Sequence, residues 1–148
     1  MSAQDLRPTN WAGNVVYSAA RFHSPASVPE LQELVASSDR VRARGTGHSF
    51  TTIADTTGDS VSLEAMPAAL SLDTERRTVN VGAGVRYGEL AAYLQGHGFA
   101  LPNLGSLPHI SVGGACATGT HGSGRTNGVL ATSVSALDMV GSAQRCCP

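Results

Sequence analysis

The sequence predicts an α+β fold in which short strands are combined with two helices. Residues 28–37 and 87–97 carry the apolar spacing of amphipathic helices. Residues 41–44, 60–64 and 77–81 alternate apolar and polar side chains, as half-buried strands do. A chain of 148 residues is long enough to bury one hydrophobic core. We therefore expect a single domain built from these elements.

The first helix has a well-defined start. Ser27 and Glu30 have the spacing of a capping box, and Pro29 lies in the first turn, where no backbone N–H is needed. The apolar residues that follow fall on one helical face: Val28, Leu31, Leu34 and Val35. The polar residues at 37–39 predict its end.

The strand predicted at 41–44 leads directly into the loop Gly45-Thr-Gly-His-Ser49. Glycines at 45 and 47 allow positive φ and let the main chain approach a ligand, because no Cβ is in the way. Successive backbone N–H groups in such a loop form a concave site for an anion such as a pyrophosphate. His48 adds a nucleophilic imidazole at the edge of that site.

The next elements are the strands predicted at 60–64 and 77–81, with a polar turn at 73–77 between them. A helix is then predicted by the spacing of Tyr87, Leu90, Ala91 and Leu94. Gly96 and Gly98 provide its stop.

Residues 100–128 contain seven glycines and no convincing period. Such long segments are usually functional or disordered, and apolar residues at 104, 107, 110 and 112 argue against disorder. We therefore predict a ligand-wrapping loop packed on the sheet, which includes the second glycine-rich motif, Thr118-Gly-Thr-His-Gly-Ser-Gly124. A final strand is predicted at 134–140, with an exposed sheet edge that would leave the chain marginally stable.

Composition excludes several classes of function. The formal net charge is −1 and the charged residues form no basic stripe, so a nucleic-acid partner is not expected. All ten basic residues are arginines, which removes Schiff-base lysine chemistry. No segment has the apolar length of a signal peptide core or a membrane span, so a cytoplasmic protein without membrane partners is expected. The spacing of Cys116, Cys146 and Cys147 indicates neither a disulfide framework nor a metal site, and Cys116 is expected to be a small buried residue.

Two further motifs resemble known sites but lack residues that those sites require. Gly82-Ala-Gly-Val-Arg-Tyr-Gly88 follows a strand and opens a helix, but its third glycine is one position late and no carboxylate lies ~20 residues onward to bind a ribose. It is interpreted as a strand-to-helix turn. A Ser-His-Asp hydrolase is disfavoured because the chain contains no Gly-x-Ser-x-Gly elbow.

Three segments together carry a family resemblance: Gly45 to Phe50, Leu101 to Gly114, and Thr118 to Gly124. With them the chain resembles flavoproteins of the vanillyl-alcohol-oxidase type, whose FAD-binding domain is also called PCMH-type. Within that family it is most similar to the alditol and xylitol oxidases, with aldonolactone oxidases next. The resemblance runs from about residue 10 to residue 140 and corresponds to roughly the first third of such an enzyme.

The resemblance implies a fold in which a small α/β subdomain is followed by the start of a second subdomain, with FAD bound between them. It assigns residues 1–141 to the FAD-binding domain and leaves residues 142–148 as an atypical tail, with the substrate domain absent. The ending suggests an N-terminal fragment or a shifted reading frame.

The resemblance also implies site residues. The first FAD loop would comprise Ala43, Arg44, Gly45, Thr46, Gly47, His48 and Ser49, with His48 bonded covalently to the flavin. The second would comprise Ser111, Gly114, Thr118, Gly119, Thr120 and His121, with backbone amides on the pyrophosphate. Ser106 would face the substrate above the flavin as the catalytic residue of this chain.

The activity implied is oxidation of a polyol CH–OH group by FAD and dioxygen, which gives an aldehyde and hydrogen peroxide. An aldonolactone oxidase is the alternative substrate class. A non-catalytic remnant that keeps the fold without flavin, and an oxidase of phenols or hydroxy acids on the same fold, also stay open.

Overall fold

The structure is a computed structural model that describes residues 7–141. Its strands are β1 (Arg21–His23), β2 (Val41–Ala43), β3 (Asp59–Val61), β4 (Leu70–Asp73) and β5 (Thr78–Val81). Its α-helices are α1 (Val28–Ser37), α2 (Tyr87–Gly96) and α3 (Val112–Ala117). Short 3₁₀ turns lie at Thr52–Ala54 and Leu130–Ser133. The mixed α and β content confirms the predicted fold class.

Three strands form a parallel sheet with β3 in the centre, in the order β1-β3-β2. Helix α1 connects the two outer strands, and Ser27 Oγ accepts a hydrogen bond from the Glu30 N–H at its N-terminus, as the capping pattern predicts. The register places Arg21 and Val41 on either side of Asp59. The strand that leads into the first glycine-rich loop is therefore held against a buried central strand.

A carboxylate fixes the relation between β1 and β3. Asp59 is 2% exposed and accepts two hydrogen bonds from Arg21, at 2.6 and 2.8 Å, and lies 2.7 Å from His23 Nε2. These bonds, from Arg21 first and from His23 second, hold the pKa of Asp59 well below its usual value, against the effect of burial. The Asp59 carboxylate is therefore ionised and paired on the central strand of this sheet.

The second unit consists of the antiparallel β4–β5 hairpin with α2 and α3. Its core is formed by buried apolar side chains from α2, α3 and the segments beside them: Val85, Tyr87, Leu90, Leu94, Ile110, Val112, Ala115 and Leu130. The hairpin contributes the partly buried face of Leu70, Leu72, Val79 and Val81. The predicted helical face of α2 is thus confirmed as a core face.

Two predictions about elements are wrong. Residues 100–128 are not one irregular loop, because they include α3. Tertiary hydrogen bonds anchor the start of that helix, from the Val112 N–H to Val85 O (2.8 Å) and from the Gly113 N–H to Ala83 O (2.9 Å). Residues 134–140 form no strand within the described part of the chain, so the sheet edge expected there does not exist. The tail at 142–148 lies outside the described residues.

The remaining predictions about elements concern two strands, one turn and a cysteine. The sequence analysis did not predict β1 and β4, which have three and four residues; β4 does alternate between half-buried and exposed side chains. The turn predicted at 73–77 does join two strands, β4 and β5. Cys116 is half-buried, with its Sγ 3.6 Å from the hydroxyl of Tyr87.

The core of the second unit depends on Leu90, which is 2% exposed. We expect Leu90→Ala to lower the free energy of unfolding by about 2–5 kcal/mol, because it removes buried apolar atoms and leaves a cavity. Leu137→Ala is the matched control, since Leu137 is 73% exposed. Urea unfolding of both variants tests this, and equal midpoints for the two would contradict the assigned core.

Candidate functional site

A cleft of about 120 Å³ lies where the two units meet. Four segments line it: the loop after β2, the segment after β3, the turn between β5 and α2, and the start of α3. Its lining residues are Ala43, Arg44, Gly45, Thr46, Val61, Ser62, Leu63, Glu64, Ala83, Gly84, Arg86, Ser111, Gly113, Gly114 and Ala117. Six of the residues predicted for the two FAD loops thus line one cleft: Ala43, Arg44, Gly45, Thr46, Ser111 and Gly114.

The first loop approaches α3 backbone to backbone. A Cβ atom on Gly45 would lie 2.5 Å from Ser111 Oγ and 3.4 Å from the Cα of Gly114. A Cβ atom on Gly114 would lie 2.8 Å from the same hydroxyl oxygen. Only glycine fits at either position without displacing its neighbour, so the two predicted loops are in contact.

The backbone N–H groups of the first loop are free of intramolecular partners. Within residues 7–141, none of the amides from Gly45 to Ser49 donates a hydrogen bond, whereas the preceding amide of Arg44 donates to Val61 O at 2.7 Å. Gly47 has φ of 74°, which turns the loop. Gly45 and Thr46 of this run line the cleft, and unpaired N–H groups need an acceptor.

Two polar side-chain atoms at the cleft are buried without a hydrogen-bond partner. They are Nε of Arg44 and Oγ of Ser111. The guanidinium carbon of Arg44 lies 5.5 Å from the ring centroid of Tyr17, so the charged group is supported by an aromatic face. Buried polar groups are nearly always hydrogen-bonded, so these two atoms indicate a ligand that completes them.

His48 lies in the same loop and is fixed by contacts from three segments. Its ring stacks on Trp11, with centroids 5.2 Å apart and an interplanar angle of 23°. Its Nδ1 lies 3.1 Å from Thr46 Oγ1, and its Nε2 lies 2.8 Å from Nε2 of His109. The imidazole orientation is therefore set before any ligand binds.

The surroundings of His48 favour its neutral form. Burial of the ring lowers the pKa of His48, and the nearby His109 and Arg86 lower it further. A hydrogen bond with the Thr46 backbone acts in the opposite direction and is outweighed. Near pH 7 the imidazole is therefore neutral and carries a nitrogen lone pair, as a nucleophile requires.

The second glycine-rich motif lies at the other end of α3. The amides of Thr118, Gly119 and Thr120 already donate hydrogen bonds to carbonyls of α3, at 3.2, 3.5 and 3.1 Å. His121 is exposed, with its Nδ1 3.0 Å from Gly122 O. The resemblance assigned these three N–H groups to a pyrophosphate. In the structure they are bonded within the C-terminal end of the helix. Contact of these residues with FAD stays a prediction.

Ser106 is exposed in the segment before α3, and Ser49 lies beside His48 with its hydroxyl 3.2 Å from that of Thr51. The substrate-facing role of Ser106 stays a prediction. The turn at 82–88 leads from β5 into α2, as predicted, and a Cβ on Gly84 would collide with Leu63 O. It also lines the cleft, which its sequence pattern did not indicate.

The sequence reading missed His109. It lies 61 positions beyond His48 in a segment without periodicity, so no local pattern links the two. Across residues 7–141, no group of three His, Cys, Asp or Glu side chains is placed to hold a metal ion. No helix in that same range is long and apolar enough to cross a membrane.

Known proteins resemble this chain in sequence and in fold. A family model described as an FAD binding domain matches residues 19–146. The chain is 54% identical to alditol oxidase of a Streptomyces species over 135 residues, which cover 89% of this chain and 32% of that enzyme. It is 37% identical to L-gulonolactone oxidase of Mus musculus over 135 residues, covering 88% of this chain and 31% of the relative. The chain therefore spans about a third of the length of these relatives.

The fold has a counterpart among solved structures. Cholesterol oxidase from B. sterolicum superposes with a TM-score of 0.68 at 22% identity, covering 77% of this chain and 23% of that one. This likeness concerns the fold. The family match over residues 19–146 and the 54% identity to one relative show that the chain belongs to the FAD binding domain family.

Proposed function

We propose that the cleft binds the pyrophosphate of FAD and that His48 bonds covalently to the flavin. The observation that carries this proposal is the run of unpaired amides from Gly45 to Ser49, of which Gly45 and Thr46 line the cleft. Backbone N–H groups bind phosphate oxygens with directional hydrogen bonds, and no side-chain charge is needed. The residues that would hold the cofactor therefore belong chiefly to the first loop.

The side chains at the cleft fit the same cofactor. Ser111 Oγ and Arg44 Nε are buried donors without partners, and both can bond to phosphate oxygens. The absence of a Cβ at Gly45 and Gly114 lets the first loop lie against Ser111, where a Cβ atom would collide with its Oγ. Ser111, Gly114 and the first loop are thus proposed as the anion-binding part of the FAD site.

His48 fits the role of covalent ligand for two reasons. Its ring is held by Trp11, Thr46 and His109, and its environment lowers its pKa, so the nucleophilic neutral form predominates. A covalent bond at this loop would also prevent loss of the cofactor from a shallow cleft.

The reaction proposed for the whole protein is oxidation of a CH–OH group in a polyol. The 54% identity to an alditol oxidase supports this substrate class. When bound, the flavin would accept hydride from the carbon that carries the hydroxyl and pass the electrons to dioxygen. Ser106, which is exposed near the His109 segment, is proposed to contact the substrate. Residues 1–141 would form the FAD-binding part, and further chain would supply the substrate domain.

An aldonolactone is the second candidate substrate. The 37% identity to L-gulonolactone oxidases of Mus musculus and Bos taurus supports it. Peroxide formation with xylitol and with L-gulono-1,4-lactone separates the two classes. A larger kcat/KM for the lactone would overturn the polyol assignment.

Acid precipitation tests covalent attachment. We expect the purified chain, incubated with FAD, to keep yellow colour in the acid pellet, and His48→Ala to lose it, because only a covalent bond survives denaturation. His97→Ala is the control, since His97 lies at the end of α2 and bonds to Tyr93 O. Colour retained by His48→Ala would contradict attachment at this residue.

The glycine contact provides a second prediction. We expect Gly45→Ala to weaken FAD binding at least tenfold and to lower stability by about 1–3 kcal/mol, because the new methyl group collides with Ser111 Oγ. Gly96→Ala is the control, since nothing lies within 4 Å of a Cβ there. Alanine should stabilise that helical position by up to about 1 kcal/mol. Fluorescence titration with FAD and urea unfolding check both variants.

The lowered pKa of His48 provides a third prediction. Between the folded pKa and the ordinary value of 6.5, the unfolded chain binds more protons than the folded protein, so stability rises with pH in that window. We expect the urea midpoint to fall as pH is lowered from 7.5 to 5.5, and His48→Asn to reduce this fall. An equal pH dependence in the variant would show that His48 does not contribute.

A further inference from the structure

A turn at residues 10–15 holds the first glycine-rich loop from one side. Three donors of this turn bind carbonyl oxygens of the segment 47–50: the Trp11 N–H donates to Gly47 O at 2.9 Å, Asn10 Nδ2 to Ser49 O at 2.9 Å, and Asn14 Nδ2 to Phe50 O at 3.0 Å. The two asparagines lie 39 and 36 positions before the carbonyl groups that they bind. These bonds therefore belong to the tertiary fold and not to the loop itself.

A carbonyl group that is bound in this way also fixes the N–H group of the same peptide unit. The peptide bond is planar and trans, so its C=O and its N–H point in opposite directions. The three bound carbonyls therefore direct the next N–H groups, those of His48, Phe50 and Thr51, away from the turn. Within residues 7–141 none of these three N–H groups donates a hydrogen bond.

The loop lies between this turn and α3. A Cβ atom on Gly47 would lie 3.6 Å from the Cα of Asn10, whereas a Cβ atom on Gly45 would meet Ser111 Oγ at 2.5 Å. One end of the loop thus packs on the turn, and the other end packs on α3 at the cleft. The contacts with the turn therefore help to set the positions of the loop amides that are available to an anion.

Asn10 is the central residue of the turn. It is 3% exposed. Its Nδ2 donates to Ser49 O and, at 2.7 Å, to Asn14 Oδ1, while its Oδ1 accepts from the Val15 N–H at 3.0 Å. These partners require donors and an acceptor on one side chain, which an amide provides and a carboxylate of the same shape does not. Asparagine is therefore matched to this position by its hydrogen bonds.

We propose that Asn10 and Asn14 are positioning residues of the anion site: they bind the carbonyl oxygens of Ser49 and Phe50 and so hold the first loop in the conformation that binds the pyrophosphate of FAD. This inference rests on the proposed binding of FAD at this loop. Neither asparagine lines the cleft, so each acts through the loop backbone.

The composition of the loop makes such support important. Glycine loses more conformational freedom than other residues when it is ordered, and the loop has glycines at positions 45 and 47. A loop that is already ordered binds its ligand more tightly, because the ordering does not have to accompany binding. The hydrogen bonds from the turn supply that order before the cofactor arrives.

The first test measures the order of the loop in the 148-residue chain without FAD. In the wild type we expect backbone ¹⁵N order parameters of about 0.85 at Phe50 and Thr51, as in rigid backbone. Asn14→Ala should lower them toward about 0.6. Asn14→Gln should restore them, because its amide can still donate to Phe50 O. Values below about 0.6 in the wild type, or unchanged values in Asn14→Ala, would overturn the proposal.

The second test measures FAD binding in the His48→Ala background, where covalent attachment at this residue does not contribute. We expect the Kd to rise about tenfold in Asn10→Ala and about threefold in Asn14→Ala, as loss of hydrogen bonds predicts. Asn14→Gln should bind like the parent. Asn80→Ala is the control, since Asn80 is exposed on β5. Urea unfolding shows whether each titrated variant is folded, and if the buried change at Asn10 prevents folding, the two variants of the exposed Asn14 decide.

The outcomes separate the two proposals. FAD binding by the His48→Ala parent, with an equal Kd in Asn14→Ala, would overturn the role of the asparagines and leave the cofactor site intact. Equal losses of affinity in Asn14→Ala and Asn14→Gln would also overturn it, because the second variant keeps the donor. No FAD binding by the parent would contradict both the cofactor site and the positioning role.

Discussion

The site depends on the close approach of two glycine backbones, Gly45 in the first loop and Gly114 in α3. A side chain at either position would meet Ser111 Oγ, at 2.5 or 2.8 Å. This contact joins the three-stranded sheet to the hairpin and helix unit and places the unpaired loop amides beside the buried hydroxyl of Ser111. The cleft is thus formed largely by main chain, which explains why the sequence concentrates glycine in these two segments.

The three-stranded sheet sets the direction of the first glycine-rich loop, and the buried carboxylate of Asp59 holds strands of that sheet together. Asp59 lies on the central strand β3 and pairs with Arg21 on β1. Two positions further along β3, Val61 O accepts a hydrogen bond from the Arg44 N–H at 2.7 Å. The backbone hydrogen bond that immediately precedes the glycine-rich loop is therefore made to β3, the strand that carries Asp59. The Arg21 side chain is 66% exposed whereas that of Asp59 is 3% exposed, so loss of Arg21 would leave a buried carboxylate with one partner fewer.

The sequence was sufficient for elements with a strong local signal. Helix α1 has a cap and a spaced apolar face, and the first loop concentrates its glycines and His48 in five consecutive residues. Helix α3 was missed because Val-Gly-Gly-Ala-Cys-Ala has low intrinsic helix propensity; it is held by hydrogen bonds to Val85 and Ala83. The segment at 134–140 shows the reverse error, since alternation alone does not make a strand without a partner. Leu137 and Met139 are instead 73% and 84% exposed.

The contact between His48 and His109 is another feature that no local sequence pattern predicts. It also indicates how the site keeps two requirements apart, the binding of an anion and the presence of a neutral nucleophile. An anion is best held by groups that cannot lose their hydrogens, and backbone N–H groups meet that requirement. A nucleophile must be neutral, and a cation would be favoured next to a bound pyrophosphate. Burial of the ring and the nearby imidazole of His109 disfavour a positive charge on His48. His109, whose Nε2 lies 2.8 Å from Nε2 of His48, is brought to this contact from 61 positions away. The loop motif therefore supplies the imidazole, and the tertiary fold supplies the contact that sets its orientation.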